Sequence, residues 1–239
     1  EGNTLAGSKV LQGGELWTDF TIQSDGFSRF VIRDAGMHSQ QSGRLVQRVL
    51  EIETYRMMAL LGLPYAMQAA PSLNAIENEL ATLAAAMVDT DDAPGLAKAD
   101  EGVAEQALLD RITRLAARIE KLSLDNSYRF SASKAYMGLV KARIEELREV
   151  RIEGIPTVEE FMDRRLTPAM NTCEAMASRQ EAMAQRIANT NDLLRTRVGI
   201  VQELQNRQIL QSMNARAAQQ LRLQQAVEGL SVAAISYYV

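Results

Sequence analysis

Apolar residues recur at every third or fourth position through most of this chain, and the longest such run covers residues 167–239. Thr167-Pro168 supplies a cap and a proline suited to a first helical turn, and no proline follows. The pattern predicts one helix, roughly 110 Å long at about 1.5 Å per residue. Along it Leu166, Met170, Cys173, Ala177, Ala184, Ile187, Asn191, Leu194, Val198 and Val201 keep a three-four spacing. A second seam of Leu210, Met213, Ala217, Leu221 and Val227 takes over after a change of phase, beyond the polar residues Gln205, Asn206 and Gln208. The chain's own helices can cover the first seam. The second has fewer candidates within the chain, so self-association is expected through Leu210, Met213, Ala217 and Leu221, with Asn191 of the first seam as a further self-association residue. Asn191 is a polar seam residue of the kind that fixes register.

Strand-like alternation is confined to residues 15–34. Leu16, Thr18, Phe20 and Ile22 alternate with Trp17, Asp19 and Thr21. Ser24-Asp25-Gly26 then supplies a turn, and residues 27–32 return as a second strand. Two strands are marginal alone. Val10-Leu11 offers at best a third, so the sheet is expected to be completed by strands preceding Glu1. Helical periodicity then predicts residues 44–63, stopped by Gly62 and Pro64, with Leu45, Val49 and Ile52 as its stripe. Val46, Leu50, Met57, Leu60 and Leu61 widen that stripe, so burial on most sides is expected. A further helix starts at Pro71-Ser72 and ends near Met87, and another covers 104–124. Residues 127–131 read as a junction before a helix to about Arg151, ended by Gly154-Ile155-Pro156. Thr157-Val-Glu-Glu160 is a capping-box pattern that launches a short segment to Leu166.

The fold class that follows is mainly α, an antiparallel helical bundle with a very long C-terminal helix and a small N-terminal β-hairpin. Three segments are expected. Residues 1–38 form the hairpin and end an upstream domain, 39–166 the bundle, and 167–239 a coiled-coil-like helix leading to a membrane span. Composition agrees, with 239 residues that are 46% hydrophobic and only 5% aromatic, few of them Gly or Pro.

The net charge of -4 hides an uneven layout. Residues 71–110 carry nine acids against Lys98 alone, and 111–239 carry nineteen bases against fourteen acids. Neither imbalance argues for nucleic acid. Asp89, Asp91, Asp92 and Asp100 cluster around Pro94-Gly95 without the spacing of a calcium loop, so a solvated connector is expected. Cys173, the one cysteine, and His38, the one histidine, have no relay or ligand partner of their own type. They read as a buried small hydrophobe and a linker residue. On the first bundle helix Arg48, Glu51, Glu53 and Arg56 form a structural charged cluster, Arg48 with Glu51 being the simplest pair. No Ser-His-Asp set, metal-ligand spacing or phosphate loop is present, so no catalytic residue, metal or cofactor is expected.

The C-terminal end changes the picture. Between Leu204 and Val227 lie Arg207, Arg216 and Arg222 and no acid, and the chain closes on an apolar run from Leu230 through Ile235 to Tyr237, Tyr238 and Val239. Bases on the N-terminal side of an apolar run favour a cytoplasmic soluble part. Ten apolar residues fall short of the ~20 a span needs. The chain also opens at Glu1 without a methionine, so a longer protein is expected on both sides.

Four strings carry a resemblance: Gly43-Arg-Leu-Val-Gln-Arg with Glu51-Ile-Glu-Thr-Tyr-Arg-Met-Met-Ala-Leu; Tyr128-Arg-Phe-Ser-Ala; Glu160-Phe-Met-Asp-Arg-Arg-Leu-Thr-Pro-Ala-Met; and residues 221–238. They resemble a bacterial family of predicted membrane-anchored proteins of unknown function, domain of unknown function 3422. The likeness covers roughly residues 10–239 and implies a preceding domain, following membrane helices and a place at the bacterial inner membrane, with no catalytic residues to carry over. A weaker analogy is to CorA-type magnesium channels, where a long helix descends into the membrane; their Gly-Met-Asn motif is absent here.

Two functions are therefore weighed. The first is a non-enzymatic membrane-anchored helical scaffold or assembly protein. The alternative is the cytoplasmic part of an oligomeric CorA-like cation channel or transporter. Both expect a membrane and a homo-oligomer as partners, and neither expects nucleic acid.

Overall fold

A computed structural model describes residues 5–91 and 98–238, with the side chains of 89–91, 98–101, 226 and 228–238 left aside. The element order is β1 (Ala6–Val10), β2 (Gly14–Thr18), β3 (Phe30–Asp34), α1 (Ser39–Leu60), α2 (Gly62–Asp91), α3 (Lys98–Leu147), β4 (Val150–Arg151), α4 (Val158–Arg165) and α5 (Thr167–Tyr238). The mainly helical class, the long C-terminal helix and the small N-terminal antiparallel sheet are all as the periodicity indicates. The acidic connector is shorter than expected, since Asp89 and Asp91 belong to α2 and Asp100 to α3; residues 92–97 and the side chains of the terminal apolar run lie outside the described residues.

The chain divides into two compact units, one made of Glu1–Glu79 with Ala116–Arg186 and the other of Leu80–Leu115 with Ile187–Val239. The first unit holds a four-stranded antiparallel sheet in the order β3-β2-β1-β4. All four strands come from within the chain, so the sheet is larger than the hairpin expected from residues 15–34. The sequence hid β1 because its turn to β2 lacks Asn-Gly or Asp-Gly; Leu11 and Gln12 themselves hold φ of 51° and 59°. The far edge is β4, which forms because α3 stops at Leu147, where Arg148 takes a left-handed φ of 49°, well before Gly154. The β2–β3 connection is longer than a tight hairpin, running from residue 19 to 29.

One face of the sheet packs on helices. Ala6, Val10, Leu16 and Phe20 share a core with Leu45, Val49 and Ile52 of α1, Val140, Ile144 and Leu147 of α3, and Val158, Phe161, Met162 and Leu166 from α4 onward. Helix α1 buries this stripe and Ala59; Val46, Leu50, Met57 and Leu61 are exposed, so it is covered on one face. The capping box forms, Glu160 N donating to Thr157 Oγ1 and Thr157 N to Glu160 Oε2, both at 3.2 Å.

Two expected breaks are absent. Pro71 lies inside α2. Both Pro71 and Met67, four residues earlier, are exposed, so water can satisfy the carbonyl the proline leaves unpaired. Residues 127–131 lie inside α3. There Asn126 Nδ2 donates back to the Leu122 carbonyl at 2.8 Å, while Phe130 anchors in a cluster with Ala66 and Cys173.

The second unit is built from the end of α2, the start of α3 and α5. Its buried residues include Leu83 and Met87, Leu108, Ile112 and Leu115, and Ile187, Leu194 and Val198. Arg197 donates to the Met87 carbonyl at 3.4 Å, and Gly102 leaves room for Gln205 and Val201 where α3 meets α5.

Candidate functional site

The charged residues of α1 act in two separate networks. Arg48 does not pair with Glu51. It donates to Glu146 on α3 at 2.7 Å, because the two helices bring partners from 98 residues away within reach. Glu51 accepts instead from Arg143, which also donates to Glu146 at 2.6 Å. Hydrogen bonds from Gln47 and Arg143 hold the Glu51 carboxyl below its ordinary range, and Arg48 with Arg143 does the same for Glu146. A carboxylate with a depressed pKa stabilises the fold above its unfolded pKa of about 4.5, and that contribution is lost as pH falls through the folded value. Arg143→Met is therefore expected to lower the melting temperature at pH 7, with the gap closing as pH drops below 4. A gap constant from pH 7 to pH 3 in thermal melts would contradict this.

Glu53 and Arg56 form the second network. Arg56 grips Glu53 with two hydrogen bonds of 2.7 Å, donates to the Phe20 carbonyl at 3.2 Å and lies 5.5 Å from the Phe20 ring centroid. Ser28 donates to Glu53 at 2.8 Å. This arrangement braces the β2–β3 connection, where Phe20 has a φ of 51°. Both side chains of the Arg56–Glu53 pair are largely buried, 13% and 16% exposed.

Cys173 is buried, and desolvation pushes its thiol up from the ordinary range, away from reactivity. His38 caps the start of α1, its N–H donating to Gln41 Oε1 at 3.0 Å. Among the described residues no group of three His, Cys, Asp or Glu could hold a metal ion.

What the described surface does offer is two helical faces. In the second unit every residue of α5 from 206 to 225 is exposed. Leu210, Met213 and Leu221 are 60%, 60% and 59% exposed, on one face with Ala217. Arg207 pairs with Glu203, while Arg216 and Arg222 stand in the same exposed segment. Leu230, Ile235, Tyr237 and Tyr238 fall among the residues whose side chains are not described. No helix among the described residues is long and apolar enough to cross a membrane. Asn191 is set apart from the other seam residues. It lies between buried Ile187 and Leu194, and its Oδ1 is buried without a partner among the described residues.

In the first unit a valley of about 720 Å³ runs between α3 and α5. Its floor includes Phe130, Met170 and Cys173, and the buried Gln180, whose Nε2 has no partner among the described residues. Lys134 and Lys141 line it from α3, Glu174 and Glu181 from α5. Helical periodicity alone does not single out these four. Their shared spacing of seven residues was the available signal.

No curated protein and no solved structure matches the chain. A family model does match, over residues 1–239: the chain belongs to the family described as protein of unknown function DUF3422.

Proposed function

We propose that this chain is a non-enzymatic scaffold whose docking element is the distal part of α5, self-associating beside a membrane surface. One observation carries the reading: 20 consecutive helical residues, 206–225, are exposed on every side yet keep large apolar groups on one face. Isolated helices draw little stability from propensity alone, and a helix this exposed gains most by burying that face. Each leucine buried on pairing contributes about 1.5–3 kcal/mol. The seam of Leu210, Met213, Ala217 and Leu221 suits a like helix, its three-four spacing being that of coiled-coil contacts. Arg207, Arg216 and Arg222, followed in sequence by the apolar residues from Leu230, suit an anionic lipid surface.

Equilibrium sedimentation tests the first part. The chain is expected to associate, and Leu210→Gln with Leu221→Gln to weaken that association by roughly 100-fold or more. Flotation with vesicles containing anionic lipid tests the second. Arg207→Gln, Arg216→Gln and Arg222→Gln together should abolish co-flotation at physiological salt. An unchanged mass in the leucine variant sinks the self-association, and no flotation of the parent chain sinks the membrane surface.

A further inference from the structure

We propose that the small cavity enclosed by α1, α4 and the start of the β2–β3 connection binds a compact oxyanion, a phosphate or the phosphate group of a monoester, between Arg56 and Arg165. The site lies in the first unit and does not depend on the distal α5 seam.

The cavity holds about 70 Å³ and is bordered by both arginines, with no carboxylate among its described lining residues. Helix α1 contributes Arg56 and Leu60, and α4 contributes Phe161 and Arg165. Four residues are about one helical turn, so each pair stands on one face of its helix. Met162 and Leu166, both buried, add apolar wall.

Both guanidiniums are held in place before any ligand arrives. Arg56 lies over the Phe20 ring and Arg165 over the Phe161 ring, 5.5 Å and 5.3 Å from their centroids, and the rings themselves stand 5.1 Å apart. Glu53 accepts from Nε and Nη2 of Arg56, and the Phe20 carbonyl accepts from Nη2 as well. These bonds fix the guanidinium plane and leave Nη1 without a partner among the described residues. Arg165 contacts the Phe161 ring but forms no ion pair or hydrogen bond among the described residues. Glu53 thus offsets the charge of Arg56, while that of Arg165 stands uncompensated. Two guanidiniums on one cavity repel, and more strongly beside phenyl rings than in open water, because the local dielectric is lower. An anion between them turns the repulsion into two attractions, and donors already in position bind it with little further ordering cost.

Size and shape narrow the ligand. One water needs about 10–15 Å³ of such space, so the cavity admits a handful of atoms; drug-sized ligands occupy pockets of about 300–1,000 Å³. A carboxylate presents two oxygens in a plane, which a single guanidinium fork saturates. A tetrahedral phosphate keeps oxygens for a second guanidinium arriving from another helix, and so fits this pair better. Arg165 is exposed and marks the mouth, so a monoester can enter phosphate first.

Isothermal titration of the full chain with inorganic phosphate and, separately, with O-phosphoserine tests this, in about 0.15 M chloride so that diffuse attraction is screened. One-to-one binding with a Kd below about 1 mM is expected for at least one of the two. Tighter O-phosphoserine assigns the site to a monoester, tighter inorganic phosphate to the free ion. Arg165→Gln should weaken binding by roughly 10-fold or more, and Arg165→Lys, which keeps the charge but loses the fork, by about 3- to 10-fold. Because Arg165 is exposed and unpaired, both variants should fold as the parent does. The bound anion should also raise the transition read by Trp17 fluorescence, since Trp17 sits on β2 and a ligand held only by the folded unit stabilises it. Arg165→Gln should lose that rise. No saturable heat and no raised transition with either probe overturn the proposal. So does binding that Arg165→Gln leaves unchanged, which would put the anion elsewhere.

Discussion

Leu147→Ala should cost the first unit about 2–5 kcal/mol, the range for truncating a fully buried leucine whose surroundings cannot close up. Leu147 is the last residue of α3 and completely buried. It shares its core with strands β1 and β2, with α1 and with α4. Its own carbonyl accepts from Leu11 N at 3.1 Å, so the backbone that would have to move to fill the void is tied to the β1–β2 turn. Arg148 follows immediately in a left-handed conformation, which fixes the chain on the other side. Both anchors argue for the upper half of that range. At roughly 2–4 °C per kcal/mol for a chain of this size, the transition should fall by about 7–20 °C. The readout is the fluorescence of Trp17, the one tryptophan, which sits on β2. It reports on the first unit, where a far-ultraviolet signal would mix both units and need not be two-state. A Trp17 transition lowered by less than about 2 °C would contradict the shared core.

The parts of this fold visible in the sequence are those that local pattern dictates. Thr157 and Glu160 sit at the spacing of a reciprocal cap and form it; Thr167-Pro168 opens a helix that no later residue can stop. The parts that were not visible are those that tertiary contact decides. Leu11 and Gln12 make a turn at positive φ that neither residue favours, held by a sheet which packs on α1 and α3. Pro71 and the 127–131 junction read as breaks on propensity alone, yet packing on either side of them carries the helices through. The charged cluster shows the same division. That Arg48, Glu51, Glu53 and Arg56 must be satisfied follows from the apolar helix they sit on. That Arg143 and Glu146 satisfy two of them, from far along the chain, does not. For the surfaces, the exposed seam at Leu210–Leu221 is a periodicity and could be read directly. The α3–α5 valley exists only once those two helices are seen to pack side by side with Lys134 beside Glu174.

Gly62→Ala should destabilise the first unit, even though alanine is the better helix former by up to about 1 kcal/mol. Gly62 opens α2 without a positive φ, so no backbone strain decides the sign. The contact does. A Cβ on Gly62 would lie 2.3 Å from Ser133 Oγ, 3.1 Å from Ser133 Cβ and 3.3 Å from Cys173 Sγ. Both neighbours are buried, on α3 and α5, so accommodating the methyl means pushing apart helices that meet at this point. Overpacking of this kind costs about 1–3 kcal/mol, which outweighs the propensity gain. The cause can be isolated. Ser133→Ala removes the oxygen that makes the 2.3 Å contact and leaves only approaches a small shift can relieve. In a double-mutant cycle read by Trp17 fluorescence, Ser133→Ala should recover most of the loss in the Gly62→Ala background, a coupling of roughly 1–2 kcal/mol. A stabilising Gly62→Ala, or a loss that Ser133→Ala leaves untouched, would mean that α2, α3 and α5 do not meet at Gly62. The level at which α3 and α5 face each other would then have to be redrawn, and with it the register of Lys134, Lys141, Glu174 and Glu181 along the valley.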